Sequence, residues 1–331
     1  MRKSASLVVG ALGAGLLLAG ALTAVSVEPE PAPPAPPPAT ESSASSEPAP
    51  PVEAAAAADG TGGVIAWGNG IWQQRPVPAG LTAGVAEVRV GGVHALARKA
   101  DGTVVAWGNN IYGQTTVPAE AQGASALAAG WGHSLALKNG GVVAWGNDWF
   151  GQLKVPDAAK SGVTAISSYG FHNLALKQGG QVVSWGLRDD VPPEAKSGVS
   201  AISVGGDHNL ALKNGGVIAW GGNDWGQLDV PAAAKSGVTA ISAGWDHNLA
   251  LKSDGTVIAW GNNEYKQATV PATATGVTAI AAGWTHSVAL LSTGKVIAWG
   301  WSNSSAIAVP AAAGSGVFAI AAADRFNLVL K

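Results

Sequence analysis

The sequence predicts an all-β fold, a closed seven-bladed β-propeller of four-stranded antiparallel blades. Three observations predict it. Trp-Gly recurs at Trp67, Trp107, Trp145, Trp185, Trp220, Trp260 and Trp299, cutting the chain from Gly63 onward into units of about 38 residues. A histidine stands about thirteen residues before six of these tryptophans: His94, His133, His172, His208, His247 and His286. The repeat also starts and stops in mid-unit, at GGVIAWG (62–68) and FNLVLK (326–331), so the two ends together make one unit. Pairing them would shut the ring and leave no free sheet edge at the seam.

Ahead of the units lie two segments with no core to bury. Residues 1–27 place Arg2 and Lys3 before an apolar run from Leu7 to Val27, with Ala19-Gly20-Ala21 as a small-residue cleavage point. This predicts a signal peptide, either removed or kept as a membrane anchor. Leu17-Leu18-Ala19-Gly20 resembles a lipoprotein signal, but that signal needs cysteine next and the chain has none. Residues 28–62 are Pro, Ala, Ser and Glu with almost no large apolar side chain, which predicts an extended solvated linker. The expected location is extracellular, free or held at the cell surface, and an exported chain without cysteine must take its stability from packing.

From residue 63 to 331 each unit reads as strands. VTAIS (238–242), HNLALK (247–252) and VIAWG (257–261) alternate as β-strands do, and Ser253-Asp254-Gly255, or Asn-Gly-Gly elsewhere, supplies a tight hairpin. The small residues of SAISAG suit an innermost strand crowded around an axis. ATVP (268–271) is the expected fourth strand, its proline suited to an outer edge that need not donate a hydrogen bond.

Counting strand directions puts the loops after the first and third strands on one face, called here the upper face. The recurring tryptophans end a strand at the same place in every unit and are expected in the core. The other aromatics gather in the upper loops with type and position that vary from unit to unit, the pattern of a contact surface; filler between blades is the alternative. Trp131, Phe171, Trp245 and Trp284, nearest the axis, are the expected anchors. Trp149, Phe150, Trp225 and Tyr265 ring them, Tyr112 and Tyr169 complete the set, and Asp207 and Asp246 tune its charge.

Charge sorts by face. Asp148, Asp189, Asp190, Asp207, Asp224, Asp246, Glu264 and Asp324 fall in upper loops against Arg188, Lys266 and Arg325. Lys99, Lys138, Lys177, Lys213 and Lys252 fall on the other side with further lysines. An acidic aromatic face favours a partner with a basic rim. Residues 60–331 hold 17 Lys and Arg against 15 Asp and Glu, too even a balance to grip phosphates, so nucleic acid is not an expected partner.

Nothing in the sequence suggests catalysis. Each histidine fills the same slot of its own unit, which predicts a structural ring that hydrogen-bonds backbone in the adjoining loop; a ring of metal ligands about the axis is the alternative. No nucleophile elbow, phosphate loop or unrepeated acid pair is present, so neither enzyme activity, cofactor nor metal is expected.

The unit H-N-L-A-L-K-x-x-G-x-V-I-A-W-G-N-[ND]-x-[YWF]-G-Q-x-x-V-P resembles, in shortened form, the repeat of the regulator of chromosome condensation family. The resemblance covers residues 63–331 and implies a seven-bladed propeller. GQTTVPAEAQ (113–122), KSGVTAIS, KNGGVIAWG and the leader MRKSASL are more closely similar to the secreted bacterial propellers that inhibit beta-lactamases. That similarity implies a monomer that covers the active site of a class A beta-lactamase with aromatic loops; the alternative is a propeller that binds another secreted or periplasmic protein, or a cell-wall component, without inhibiting it. Trp149, Phe150, Phe171 and Tyr265 match aromatic positions of those loops. Trp131, Trp245 and Trp284 sit one place early, leaving Gly132, Asp246 and Thr285 where the inhibitors carry aromatics. In the fourth unit LRDD replaces the N-x-x-G-Q loop.

Overall fold

The computed structural model describes residues 61–70, 72 and 74–331; the expected signal peptide (1–27) and all but the last two residues of the expected linker (28–62) lie outside the described residues. The described chain forms seven separate three-stranded antiparallel sheets. Blade 1 holds β2 (Val85–Val90), β3 (His94–Lys99) and β4 (Val104–Gly108), and blade 2 holds β5 (Ala126–Ala129), β6 (His133–Lys138) and β7 (Gly141–Gly146). Blade 3 is β8 (Val163–Tyr169), β9 (His172–Lys177) and β10 (Val182–Gly186); blade 4 is β11 (Val199–Val204), β12 (His208–Lys213) and β13 (Gly216–Gly221). Blade 5 is β14 (Val238–Ala243), β15 (His247–Lys252) and β16 (Val257–Gly261), and blade 6 is β17 (Val277–Ala282), β18 (His286–Leu291) and β19 (Val296–Gly300). Blade 7 combines both ends: β20 (Ala319–Ala323) and β21 (Phe326–Leu330) take β1 (Val64–Gly68) as their third strand.

The seam has the expected register, Val64 opposite Leu330 and Gly68 opposite Phe326. Gly63 and Lys331 exchange backbone hydrogen bonds of 2.9 and 3.1 Å beyond it. Hairpins close where the sequence placed them. Asn139-Gly140, for example, carries φ of 52° and 74°, the doubly left-handed turn whose twist suits a tight hairpin.

The expected fourth strand is not formed. In the Thr-Val-Pro segments the backbone donors serve local turns instead: Thr116 N–H donates to Gly113 O and Thr269 N–H to Lys266 O. Proline then removes the next donor, so no ladder can grow along the outer edge. Nor does one continuous sheet run round the molecule. The innermost strands touch in the order β2, β5, β8, β11, β14, β17, β20 and β2 again, sheet packed on sheet. Leu210, Leu212 and Val217 of blade 4, for instance, interdigitate with Val238, Ile241 and Ala243 of blade 5.

The recurring tryptophans join these layers. All seven rings are buried, and each Nε1–H donates to a backbone carbonyl in the outer loop of the preceding blade at 2.6–3.0 Å. The acceptors are Gln74, Gln114, Gln152, Asp190, Gln227 and Gln267 for blades 1 to 6. Trp67, on the first strand of the chain, donates to Ala306 of the last complete unit at 2.9 Å, completing the circuit across the seam. Burying an indole demands such a partner, which accounts for the fixed residue type.

Candidate functional site: a loop face with an aromatic band and a carboxylate rim

Two sets of loops build the upper face. The outer loops, after each third strand, are held by a side-chain frame. Asn147 Oδ1 accepts from the Trp149 N–H, Gln152 Oε1 accepts from the Phe150 N–H, and the Gln152 amide donates back to Asn147 Oδ1. Asn109 with Gln114, and Asn262 with Gln267, repeat the frame. Asn and Gln are the residues that can brace a short loop in this way, because each offers both donor and acceptor.

This frame corrects the expectation that aromatic positions vary. Trp72, Tyr112, Phe150, Trp225 and Tyr265 all stand five residues after a recurring tryptophan, each with its backbone N–H on the glutamine that follows. The preceding position is the loop tip, and there the residue does change: Ile111, Trp149, Asp224 and Glu264. Ile111 and Trp149 are the most exposed large apolar residues described, at 73% and 63%.

The inner loops, after each first strand, are set by the histidines. Each Nε2–H donates to the side chain after the next histidine slot, at 2.5–2.9 Å: Ser134, Asn173, Asn209, Asn248, Ser287 and Asn327 in turn. The bond therefore runs to a side chain of the neighbouring blade, not to backbone in the adjoining loop as expected. Blade 7 carries Phe326 in place of histidine, and its would-be acceptor in blade 1 is Ala95. The bare Nδ1 side of the ring lies against a loop glycine. A Cβ on Gly130 would come within 2.1 Å of the His133 ring, and one on Gly244 within 2.7 Å of His247. Burial pushes all six rings far below the ordinary histidine value, to about 3 for His94, His172 and His247 and about 4 for His133, His208 and His286. They are neutral scaffolding, and no group of three potential metal ligands occurs among the described residues.

On this frame the candidate aromatics make two clusters. Trp149 meets Tyr112 edge-on at 5.0 Å, Tyr112 meets Trp131 at 6.2 Å, Trp131 meets Phe171 at 5.6 Å, and Phe171 meets Phe150 at 5.4 Å. The second runs Tyr169, Trp245, Trp284 at 5.9 and 5.7 Å, and the Arg325 guanidinium lies 4.7 Å over Trp284 and 4.8 Å over Trp301, which meets Tyr265. Trp131, Phe171, Trp245 and Trp284 are half-buried, so the expected central anchors share their area between neighbouring loops and solvent. Tyr169 departs from expectation. It is buried, and its hydroxyl accepts from the Asp324 N–H across the axis, so it braces the ring instead of offering a contact. Trp225, half exposed, stands outside both clusters.

Carboxylates gather in the loops of blades 4 and 5. Asp207 is paired with Arg188 from the shortened loop of blade 3. Burial raises Asp207, and burial together with Asp207 and Asp224 pushes Asp246 up to about 7. The same shortened loop leaves the buried Asn209 Nδ2 without the glutamine carbonyl that Asn173 and Asn248 use. Below the loops a small cavity between the innermost strands is lined by Arg89, Ser168, Tyr169 and Ser242, and Arg89 is paired with Glu87 at 3.0 Å.

Sequence reasoning missed Ile111, and it placed Arg325 in the upper loops without its stacking on Trp284 and Trp301. Ile111 occupies the tip position of Trp149, a match visible on aligning units; Arg325 stands in the slot of Asp246 in the last, irregular unit.

Three units match the Regulator of chromosome condensation (RCC1) repeat, over residues 85–114, 238–267 and 277–305. Solved structures share the fold. Prp20p from Saccharomyces cerevisiae, whose binding to Gsp1p and histones has been described, matches with a TM-score of 0.66 at 20% identity, over 81% of this chain and 90% of that one. Human WBSCR16 matches with a TM-score of 0.62 at 16% identity over 81% and 98%. The ectodomain of the Physcomitrella patens receptor kinase CR4 matches with 0.59 at 22% identity over 72% and 67%. No curated protein sequence matches the chain. The chain is thus an all-β propeller, three of whose units match the RCC1 repeat.

Proposed function

We propose that this is a secreted binding protein whose upper face covers the active-site entrance of a class A beta-lactamase and inhibits it by occlusion. The observation that carries the reading is the half-exposed aromatic band from Trp149 through Tyr112, Trp131 and Phe171 to Phe150, displayed on a braced frame. Aromatic side chains on rigid loops supply large contact area at low entropic cost, the usual make-up of a protein-binding hot spot. The choice of partner rests on the likeness of NDWFGQ, NEYKQ, GQTTVPAEAQ and the leader to beta-lactamase inhibitory protein II. No step of the proposed function uses a catalytic residue.

A second reading is a propeller module for another extracellular protein or a cell-wall component. It is favoured by the three positions at which that inhibitor carries aromatics. Here Gly132 lies beneath the Tyr112 ring, Thr285 is buried, and Asp246 is acidic. A panel of purified class A beta-lactamases, assayed for hydrolysis of a chromogenic substrate and for binding, separates the two. Stoichiometric inhibition supports the first reading. Enzymes that keep full activity and show no binding leave the second.

A further inference from the structure

The upper face is not uniform around the ring. Blades 1 to 3 present the aromatic band, with Ile111 and Trp149 at its outermost tips. In blades 4 and 5 the same loop positions carry carboxylates: Asp224 and Glu264 occupy the tips, and Asp207 and Asp246 the inner slots. The band of blades 1 to 3 is thus flanked on its blade 4 side by a concentration of carboxylates.

We propose that this face docks a partner whose contact surface is itself two-sided: an apolar knob that seats on the aromatic band of blades 1 to 3, and beside it a lysine or arginine that meets Asp207, Asp224 and Asp246. The docking surface is the band, and the carboxylates are its rim. This rests on the protein-binding reading above and adds the chemistry and orientation of the partner. Charge complementarity fixes the choice of occupant. Burial of apolar area gives affinity without direction, whereas charge on one side of it penalises the rotated pose, which would bring like charges together or leave a cation unmatched.

The groups facing Asp246 support the same direction. Asp207 and Asp224 are the charges that act on it, Arg188 is engaged by Asp207, and the adjacent His208 and His247 are neutral. Burial and these two carboxylates hold Asp246 at about 7, so it is half protonated near neutrality. An arriving cation favours the ionised form, and complex formation therefore releases a proton from Asp246.

The test uses the full chain, immobilised, and pairs of synthetic fifteen-residue peptides. Each pair shares a Leu-Trp centre and differs in carrying three Lys or three Glu on one flank. The cationic member should be retained and the anionic member not, with retention falling as salt rises and as pH drops from 8 to 6. Asp224→Asn combined with Asp246→Asn should lower retention roughly tenfold and flatten the pH dependence, while Trp149→Ala should lower it with the pH dependence intact. Equal retention of both members, retention of neither, or a pH profile unchanged in the double variant would overturn the proposal. The same double variant, tried against any beta-lactamase that binds, keeps the two readings apart. Unchanged affinity sinks the two-sided partner while leaving inhibition standing; selective retention of cationic peptides with no enzyme bound sinks inhibition alone.

Discussion

Acid should unfold this propeller well before its surface carboxylates are titrated. Six buried histidines have folded-state values of about 3 to 4 against 6.5 for the free side chain, because burial disfavours the charged ring. The unfolded chain takes up these protons below pH 6.5 and the folded chain does not. Their contribution to stability is complete above pH 6.5 and declines as pH falls toward 4. Each ring costs about 1.4 kcal/mol per pH unit in that window, so six cost roughly 8 kcal/mol per unit. Four carboxyls oppose them, of which Asp190 and Asp207 are raised by burial without a large shift. Asp246 and Asp324, raised to about 7 and about 6 chiefly by burial, bind protons in the folded state first and stabilise it as pH falls through those values. Allowing both their full weight leaves a net loss of about 5 kcal/mol per unit between pH 6 and 4. Against a typical total of roughly 5–15 kcal/mol, the midpoint should fall near pH 5. Urea unfolding followed by tryptophan fluorescence at half-unit steps from pH 8 to 4 measures this, and the slope gives a net uptake of about four protons on unfolding. Replacing His208 with Gln, which keeps a donor and cannot titrate, should reduce that uptake by about one. Stability that stays level from pH 7 to 5 would refute the assignment of these rings as neutral and buried.

Three further outcomes follow from the geometry. His247→Ala should lower stability by about 1–3 kcal/mol by leaving Ser287 without its donor, read as a shift in thermal midpoint with no stoichiometric metal in the wild-type protein. Gly130→Ala should cost at least as much, about 1–3 kcal/mol from a methyl driven into the His133 ring, whereas Gly113→Ala, with open space at its Cβ, should cost only the strain of its left-handed φ; equal losses would remove the packing argument. Deleting residues 326–331 strips β1 of its ladder partner β21 and should give aggregation or loss of cooperative melting in a thermal scan.

Much of this architecture could be read from residue spacing. The Trp-Gly period, the hairpin signals and the split seventh unit located every strand that formed, because each reports on contacts local to one unit. The fourth strand misled because Thr-Val-Pro alternates as a strand does, and its backbone donors are lost to turns that the alternation cannot reveal. The partners of the histidines lie about forty residues away in the next blade; only the paired exceptions, Phe326 and Ala95, betray them. The regular spacing of Trp72, Tyr112, Phe150, Trp225 and Tyr265 was legible, five residues past a recurring tryptophan in each case, and was obscured by grouping inner and outer loops together. Burial of Tyr169 was not legible, since its partner Asp324 is on the far side of the axis.

The seam also has a mechanical side. Both the way into the propeller at Gly63 and the C-terminal residue Lys331 lie at the lower end of blade 7, where Val64 faces Leu330. A pull on the N-terminal segment against Lys331 therefore loads the pairs of β1 and β21 one after another, as a zipper is opened. The first pairs would yield at low force until strain reaches Trp67, whose ring is buried between blades and bonded to Ala306. That indole is the latch. A chain held by its N-terminus against a drag on the upper face is instead pulled along β1, so that its pairs with β21 and the Trp67 bond to Ala306 carry the load together.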